Sequence, residues 1–293
     1  MLLALDARTR AISVGFFERE AGGLPGKGRW LLRRRLGAMP GRSADEYALL
    51  LRAFANEAGQ GLASTAGVDA AWMSSVAPAI GRELARAIGS AFGIGCAIVG
   101  PGVKTGVKVR TDLPSEVGSD LVCAAAAAKE LIGGPCVIVD FDAAIAFSAV
   151  GRAGDFLGAA IAPGLGTAAD SLREAAVLLP EVSIQMGGAI QIDGASLQEG
   201  RLAIGKNTAQ SIRAGIGIGY AGLVERIVRA QREELAAMGE ADSPDAVEVV
   251  GSGGEEGRAL LASIGMGRFI PELVLEGLAI IAARSTPAPR RVI

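Results

Sequence analysis

LLALDARTRAISVGFFE, running from Leu2 to Glu18, sets a short apolar run before a single acid, Asp6, and follows it almost at once with a second apolar run. Strand, acid, tight turn, strand is the arrangement by which several nucleotide-binding folds present a carboxylate to metal and phosphates. Such turns ordinarily carry Gly, Asn, Ser or Thr, whose N–H and hydroxyl groups face phosphate oxygens. Here the turn reads Ala7-Arg8-Thr9-Arg10. The motif recurs as CVIVDFDAAIAFSAVG from Cys136 to Gly151, with Asp140 as the matching acid, and GDFLGAAIAPG from Gly154 continues it as a third strand. A repeat of this kind predicts two related α/β domains, each opening on an antiparallel hairpin sheet.

The chain of 293 residues is long enough for about two domains. Half of it is hydrophobic but only 4% is aromatic, so the core must be built from Ala, Val, Ile and Leu. The formal charge of −2, with no basic cluster beyond Arg33-Arg34-Arg35, excludes a nucleic-acid footprint and places that triplet on a solvated strand edge or hairpin. The complete lack of histidine removes His-based triads, His metal sites and imidazole proton transfer, leaving Asp, Glu, Lys or Tyr for acid–base work. Cys96, Cys123 and Cys136 stand singly in apolar contexts without metal spacing and read as structural thiols of a reducing compartment. The apolar start is broken by Asp6 too early for a signal peptide, and no uninterrupted run is long enough to span a bilayer. The expectation is a cytoplasmic protein with neither membrane nor nucleic acid as partner.

Helical patterns lie between and after the two copies. Residues 43–59 start with Ser43 as N-cap and Glu46 at the capping-box position. Residues 79–93 follow Pro78, and 115–134 predict a small-residue helix ending at Gly133-Gly134. The longest helix is expected over 207–235, with Ile212, Ile216, Leu223 and Ile227 on its apolar face. Gly215, Gly217, Gly219 and Gly222 weaken it, so close helix–helix contact must compensate. Residues 70–78 and 96–102 read as short buried strands ending in turns, and 285–293 as a loose tail.

GPGVKTGVKVRTDLPSEVGSD, from Gly100 to Asp120, is the stretch richest in chemistry. Gly100, Gly102 and Gly106 shape a turn whose backbone can approach a small ligand, and Lys104 offers a cation. Asp120 falls at the start of the small-residue helix. There it is either a general base toward an alcohol or simply a helix N-terminal acid favoured by the dipole.

With these blocks assembled, the sequence resembles the type III pantothenate kinases. The likeness runs through RSADEYALLLRAF (42–54), SSVAPAI (74–80), GPGVKTG (100–106), EVGSD (116–120) and VDF (139–141). It continues through LGAAIAPGLG (157–166), GKNTAQSIRAGIGIGYAGLV (205–224) and LVLEGLAII (273–281). The resemblance implies an α/β, duplicated actin-like fold of the ribonuclease H-like (ASKHA) class, with an N-terminal domain over 1–114, a C-terminal domain with the dimerisation helix over 115–284, and a cleft between them. It implies ATP-dependent phosphorylation of pantothenate, the first step of coenzyme A synthesis, with ATP, Mg2+ and a monovalent cation (K+ or NH4+), in a homodimer. Residue by residue, it implies Asp120 as general base, Asp6 facing metal and phosphates, and Asp140 with the monovalent cation. Gly100, Gly102, Lys104 and Gly106 fall on the acceptor side, and Thr208 reaches pantothenate from the neighbouring subunit. Gly251, Gly253 and Gly254, in VVGSGGEEG, read as a third glycine-rich nucleotide loop beside Arg8 and Thr9.

The departures are equally specific. The family's first loop reads D-x-G-N-T/S where this chain has Asp6-Ala7-Arg8-Thr9-Arg10, and its second reads D-F-G-T-A-T-T where this chain has Asp140-Phe141-Asp142-Ala143-Ala144-Ile145-Ala146. Leu121 stands where the family has an arginine after the catalytic acid, and Thr111 where it has a tyrosine. Asp142 sets a negative charge beside a polyanion, and at ~4 Å a like-charge pair costs about 1 kcal/mol in water and roughly 4 at the effective dielectric of a protein surface. Two readings follow: a divergent kinase with weakened or lost catalysis, a pseudokinase candidate, or a non-catalytic paralogue that regulates or partners an active homologue as a heterodimer. A sugar or acetate kinase on the same fold is disfavoured by GPGVKTG and GKNT.

Overall fold

The computed structural model describes residues 1–20, 27–39, 41–59, 67–176, 179–180, 184–187, 189–192, 195–196 and 203–285. They form two compact units, residues 1–131 with the C-terminal segment from Glu272, and residues 132–271. The first unit runs β1 (Leu2–Ala7), β2 (Ala11–Arg19), β3 (Gly28–Gly37), α1 (Ala44–Gly59), β4 (Ala70–Ser75), α2 (Pro78–Phe92), β5 (Cys96–Ile98) and α3 (Ser119–Leu131). The second opens with β6 (Cys136–Phe141), β7 (Ala144–Val150), β8 (Phe156–Pro163) and α4 (Leu165–Ala175). It continues through β9 (Ile184–Gly187), β10 (Ala189–Ile192), β11 (Ala195–Ser196), α5 (Thr208–Ala237), β12 (Glu248–Gly253), α6 (Glu255–Ser263) and β13 (Arg268–Phe269). The chain then returns to the first unit with α7 (Leu273–Arg284).

The repeat legible at Asp6 and Asp140 extends to whole sheets. The first sheet has the order β3-β2-β1-β4-β5 and the second β8-β7-β6-β12-β13. In each, a three-stranded antiparallel meander is extended by two parallel strands on the far side of its first strand. Each acid is the fifth residue of a six-residue strand. Each also lies in parallel register with a serine, Asp6 with Ser74 and Asp140 with Ser252.

β1 is buried along its whole length. Leu3, Leu5 and Ala7 join Tyr47, Leu51, Leu84 and Ile88 of α1 and α2 in one core. By the strand's period of two, Leu2, Ala4 and Asp6 point to the opposite face, against which α7 packs. There α3 and α7 lie side by side, and their approach is close enough that a Cβ on Gly277 would run into the Cys123 backbone. Val122 to Ala128 of α3 are all buried, so small side chains are what let these helices meet. This packing groups residues 115–131 and 272–284 with the first unit, whereas the division drawn from the sequence set them in the second domain.

The capping box forms as expected: Ser43 N donates to Glu46 Oε2 at 2.8 Å and Glu46 N donates to Ser43 Oγ at 3.3 Å. The Arg33–Arg35 triplet lies on β3, the edge strand, where Arg33 pairs with Glu276 and Arg34 with Glu57. On α5 the buried face is Ile216, Gly217, Tyr220, Val224, Val228 and Leu235. Ile212, Leu223 and Ile227 only flank that core, so the expected stripe is rotated. Of the expected tail, only Ser285 lies within the described residues.

Candidate functional site

The first unit sets Asp6, Arg8 and Asp120 near the C-terminal ends of β1 and β4. Asp6 is buried, and Arg8 Nε donates to its Oδ2 at 2.6 Å. The two side chains are 5% and 10% exposed, so the pair is sealed from solvent. The turn that carries it is closed by Arg8 N donating to Ala11 O, with Thr9 and Arg10 exposed. Ser13 of β2 lies opposite Asp6 and hydrogen-bonds Glu272, just before α7. Burial raises the Glu272 carboxyl above its usual range, against the pull of Ser13, Arg35, Arg33 and Arg8. Asp6, Arg8 and Glu272 therefore belong to one internally neutralised cluster rather than to an open carboxylate.

Asp120 is brought to the same end by a serine staple. Ser119 Oγ lies 3.0 Å from Ser74 Oγ and accepts from Ser75 N at 3.0 Å, which fixes the first turn of α3 against the end of β4. Ser74 is the register neighbour of Asp6. Asp120 is half-buried, its carboxylate turned back over Gly118. Burial pushes the Cys123 thiol well above its usual range, and both Asp6 and Asp120 act on it in the same direction. Burial alone raises the Cys96 thiol to about 12, and burial with the Glu248 charge, against the pull of Arg268, raises Cys136 to about 12, as suits structural rather than reactive cysteines.

The glycine loop after β5 divides. Gly100 and Gly102 sit at the end of the parallel strands, closed by Val103 N donating to Gly100 O. Gly106 lies instead at the far end of α3: its carbonyl accepts from Lys129 Nζ at 2.9 Å and its Cα faces Arg284. From Asp120 to Lys129 the helix axis rises about 13 Å. Lys104 is exposed, its carbonyl bound by Ser285 Oγ at 3.1 Å. The structure therefore brings Asp6, Arg8 and Asp120 together, with Gly100 and Gly102 at the same strand ends, and holds Gly106 away from them.

In the second unit Asp140 is buried at the end of β6. Gly253 adopts φ +94°, and a Cβ there would strike the Phe141 carbonyl, so only glycine lets β12 turn this close to Asp140. Gly254 N donates to Phe141 O at 2.9 Å and begins α6. That helix start, where a phosphate would favour free N–H groups, instead carries Glu255 and Glu256, with the Glu256 carboxylate curled over Gly254. Gly251 packs under Leu261 and Phe269. The 142–143 turn is tied down by Thr167 Oγ1 and Gly164 N donating to Ala143 O, and Asp142 is half-buried. Thr208 stands exposed in the first turn of α5, after the Asn207 cap.

Ser74, Ser119, Glu272, Thr167 and Glu256 carried no assigned role in the sequence. The quoted blocks SSVAPAI and EVGSD contain the first two, but only the register of β1 against β4 makes them neighbours of Asp6. Among the described residues no group of three or more His, Cys, Asp or Glu side chains is placed to hold a metal ion, and Asp6 has its cation already in Arg8. A divalent ion therefore does not fit this carboxylate as it stands. No described helix is long and apolar enough to cross a membrane.

Comparison with solved structures places the fold. A protein from Sinorhizobium meliloti, provisionally assigned as a 2-dehydro-3-deoxygalactonokinase, superposes with TM-score 0.53 at 16% identity over 97% of this chain and 99% of its own. A protein from Campylobacter jejuni, provisionally assigned as a Baf family transcriptional activator, gives 0.52 at 13% over 96% and 98%. These likenesses, with the two matching sheets, make this a duplicated actin-like fold. Sequence relatives are much nearer: the type III pantothenate kinase of Moorella thermoacetica is 37% identical over 98% of this chain and 100% of its own, and that of Streptomyces coelicolor 33% over 97% and 98%. With its residues 2–230 also matching the family as a whole, the chain belongs to the type III pantothenate kinase family.

Proposed function

We propose that this chain is built for the family reaction, phosphoryl transfer from ATP to pantothenate giving 4'-phosphopantothenate, and performs it weakly or not at all. The observation that carries this reading is the buried Arg8–Asp6 pair, which spends the carboxylate expected to face metal and phosphates on an internal counter-ion. Two further features support it: Asp142 in the second loop, and Glu256 over the start of α6 in the third. The acceptor side is better kept. Asp120, held by the Ser74–Ser119 staple, would take the pantothenate hydroxyl proton, with Gly100 and Gly102 on the acceptor side, Lys104 further along the loop, Gly106 outside it, and Thr208 supplied by a second subunit. Gly251, Gly253, Gly254 and Thr9 form what remains of the nucleotide side, and Asp140 is the carboxylate that would hold a monovalent cation.

Removing one preorganised donor from a charged transition state costs about 10²–10³ in kcat, and two whole loops are altered here, so turnover about 10³-fold or more below an intact enzyme is expected. The assay is pantothenate-dependent ADP release, run beside the Moorella thermoacetica relative. A rate within tenfold of that relative contradicts the reading.

A second role, as a partner subunit, is favoured by α5. Its outward face exposes Ser211, Gly215, Ile218, Gly219 and Gly222, and a Cβ on any of those three glycines would meet nothing. Glycine costs a helix interior about 1 kcal/mol relative to Ala, so this open stripe calls for another backbone to lie against it, from a second copy or an active paralogue. Gly219→Trp is expected to convert a dimer to monomers by light scattering while leaving the thermal midpoint of the monomer unit in place. A wild-type chain that is monomeric at micromolar concentration removes the claim.

A further inference from the structure

We infer that Arg8 is a built-in replacement for the divalent cation at Asp6, and that removing its side chain turns Asp6 into a metal ligand. The inference rests on the weakened-kinase reading but concerns one unit and one carboxylate, and its test needs no turnover.

The geometry is specific. Arg8 Nε sits 2.6 Å from Asp6 Oδ2, with both side chains at least nine-tenths buried. Arg8 is held in place by the turn itself, through Arg8 N donating to Ala11 O at 2.9 Å, so the guanidinium is delivered by backbone closure rather than by a flexible surface arm. The neighbouring acids of α7 also have arginines beside them. Glu272, hydrogen-bonded by Ser13 beside Asp6, feels Arg8, Arg33 and Arg35, while Glu276 takes Arg33 and Trp30 Nε1. Glu272 and Glu276 thus have guanidiniums beside them, and Arg8 is the one that bonds Asp6. A buried charge is retained only when it is paired, so the carboxylate that would bind a metal has been given a permanent partner instead. Arginine suits this place because it stays charged at any physiological pH and, unlike a metal, does not dissociate.

Removing the guanidinium changes the balance. Arg8→Gly leaves Asp6 as a buried carboxylate without the guanidinium that bonds it, with Ser13 and Ser74 as its register neighbours to supply further oxygen ligands of the kind hard divalent ions take. The probe is Mn2+ alone, counted by electron paramagnetic resonance of the free ion, on the full chain without nucleotide. The expected result is one additional Mn2+ site in Arg8→Gly over wild type, with affinity at least tenfold tighter than any wild-type binding, and its loss in Arg8→Gly/Asp6→Asn. A folded Arg8→Gly chain that binds no more Mn2+ than wild type overturns the inference.

Because Arg8→Gly removes the cation from a buried carboxylate, a neutral pair serves as the second comparison. Asp6→Asn/Arg8→Gln keeps hydrogen bonding and removes both charges. Wild type and this double variant are expected to bind the same number of Mn2+ ions. One ion more in wild type shows that Asp6 already holds metal in the presence of Arg8, which overturns the inference even if Arg8→Gly does not fold. Strong kinase activity with equal Mn2+ counts contradicts the weakened-kinase reading alone.

Discussion

Asp6→Asn alone is expected to destabilise the protein by about 3–5 kcal/mol, the usual cost of breaking a buried ion pair from one side. The sign is the informative part. At an open metal site, replacing the acid by its amide removes a desolvated charge and leaves stability unchanged or higher. Here it leaves the Arg8 guanidinium, 10% exposed, without the carboxylate it is bound to. Asp6→Asn/Arg8→Gln removes both charges together and is expected to recover most of the loss, since replacing a buried pair as a unit is often close to neutral. Urea unfolding of the three proteins, with the m-value checked for constancy, measures the difference. A loss below about 1 kcal/mol for Asp6→Asn, the size of an exposed ion pair, shows that Asp6 and Arg8 do not depend on each other.

Gly253→Ala is expected to act as strongly in the second unit. A left-handed backbone costs a non-glycine residue about 1–2 kcal/mol, and forcing a methyl into packed backbone about 1–3 more, for roughly 2–5 in all. The atom in the way is the Phe141 carbonyl oxygen, already bound by Gly254 N, so the strand that carries Asp140 must shift. Gly254→Ala is the contrast. Its Cβ meets only the end of the Glu256 side chain, which can rotate away, so the expected loss is smaller, about 1 kcal/mol for alanine in place of glycine at a helix N-cap. Equal losses for the two variants contradict the view that Gly253 alone sets the approach of the third loop to Asp140.

Much of the fold could be read from the residues because the repeat is local. An apolar run, an acid and a short turn fix a hairpin by themselves, and Asp6 and Asp140 land at the same strand position with a serine beside each. What could not be read is what the chain brings from afar. Glu272 joins the Asp6 end, and Glu276 the Arg33 side of the same sheet, only because α7 returns to the first sheet, and no local pattern announces that return. The residues of GPGVKTG suggest one ligand loop, yet Lys129 and Arg284 anchor Gly106 at the other end of α3 from Asp120. On α5 apolar residues occur on several sides and glycines carry no periodic signal, so tertiary packing on Val224 and Val228 decided the buried face. The Arg8 guanidinium, beside the expected nucleotide loop, has the chemistry of a phosphate partner. The structure instead turns it onto the acid two residues before it, which sequence spacing alone does not distinguish.

The measurement closest to the central claim, that this member of the family has neutralised its own phosphate end, is calorimetric titration of MgATP. Two proteins are compared: the wild-type chain and a variant with the family loops restored by Arg8→Gly, Thr9→Asn, Arg10→Thr, Asp142→Gly and Ala143→Thr. The wild type is expected to show no saturable binding below millimolar nucleotide. The variant is expected to gain at least tenfold in affinity, about 1.4 kcal/mol. Micromolar MgATP binding by the wild-type chain would contradict the account.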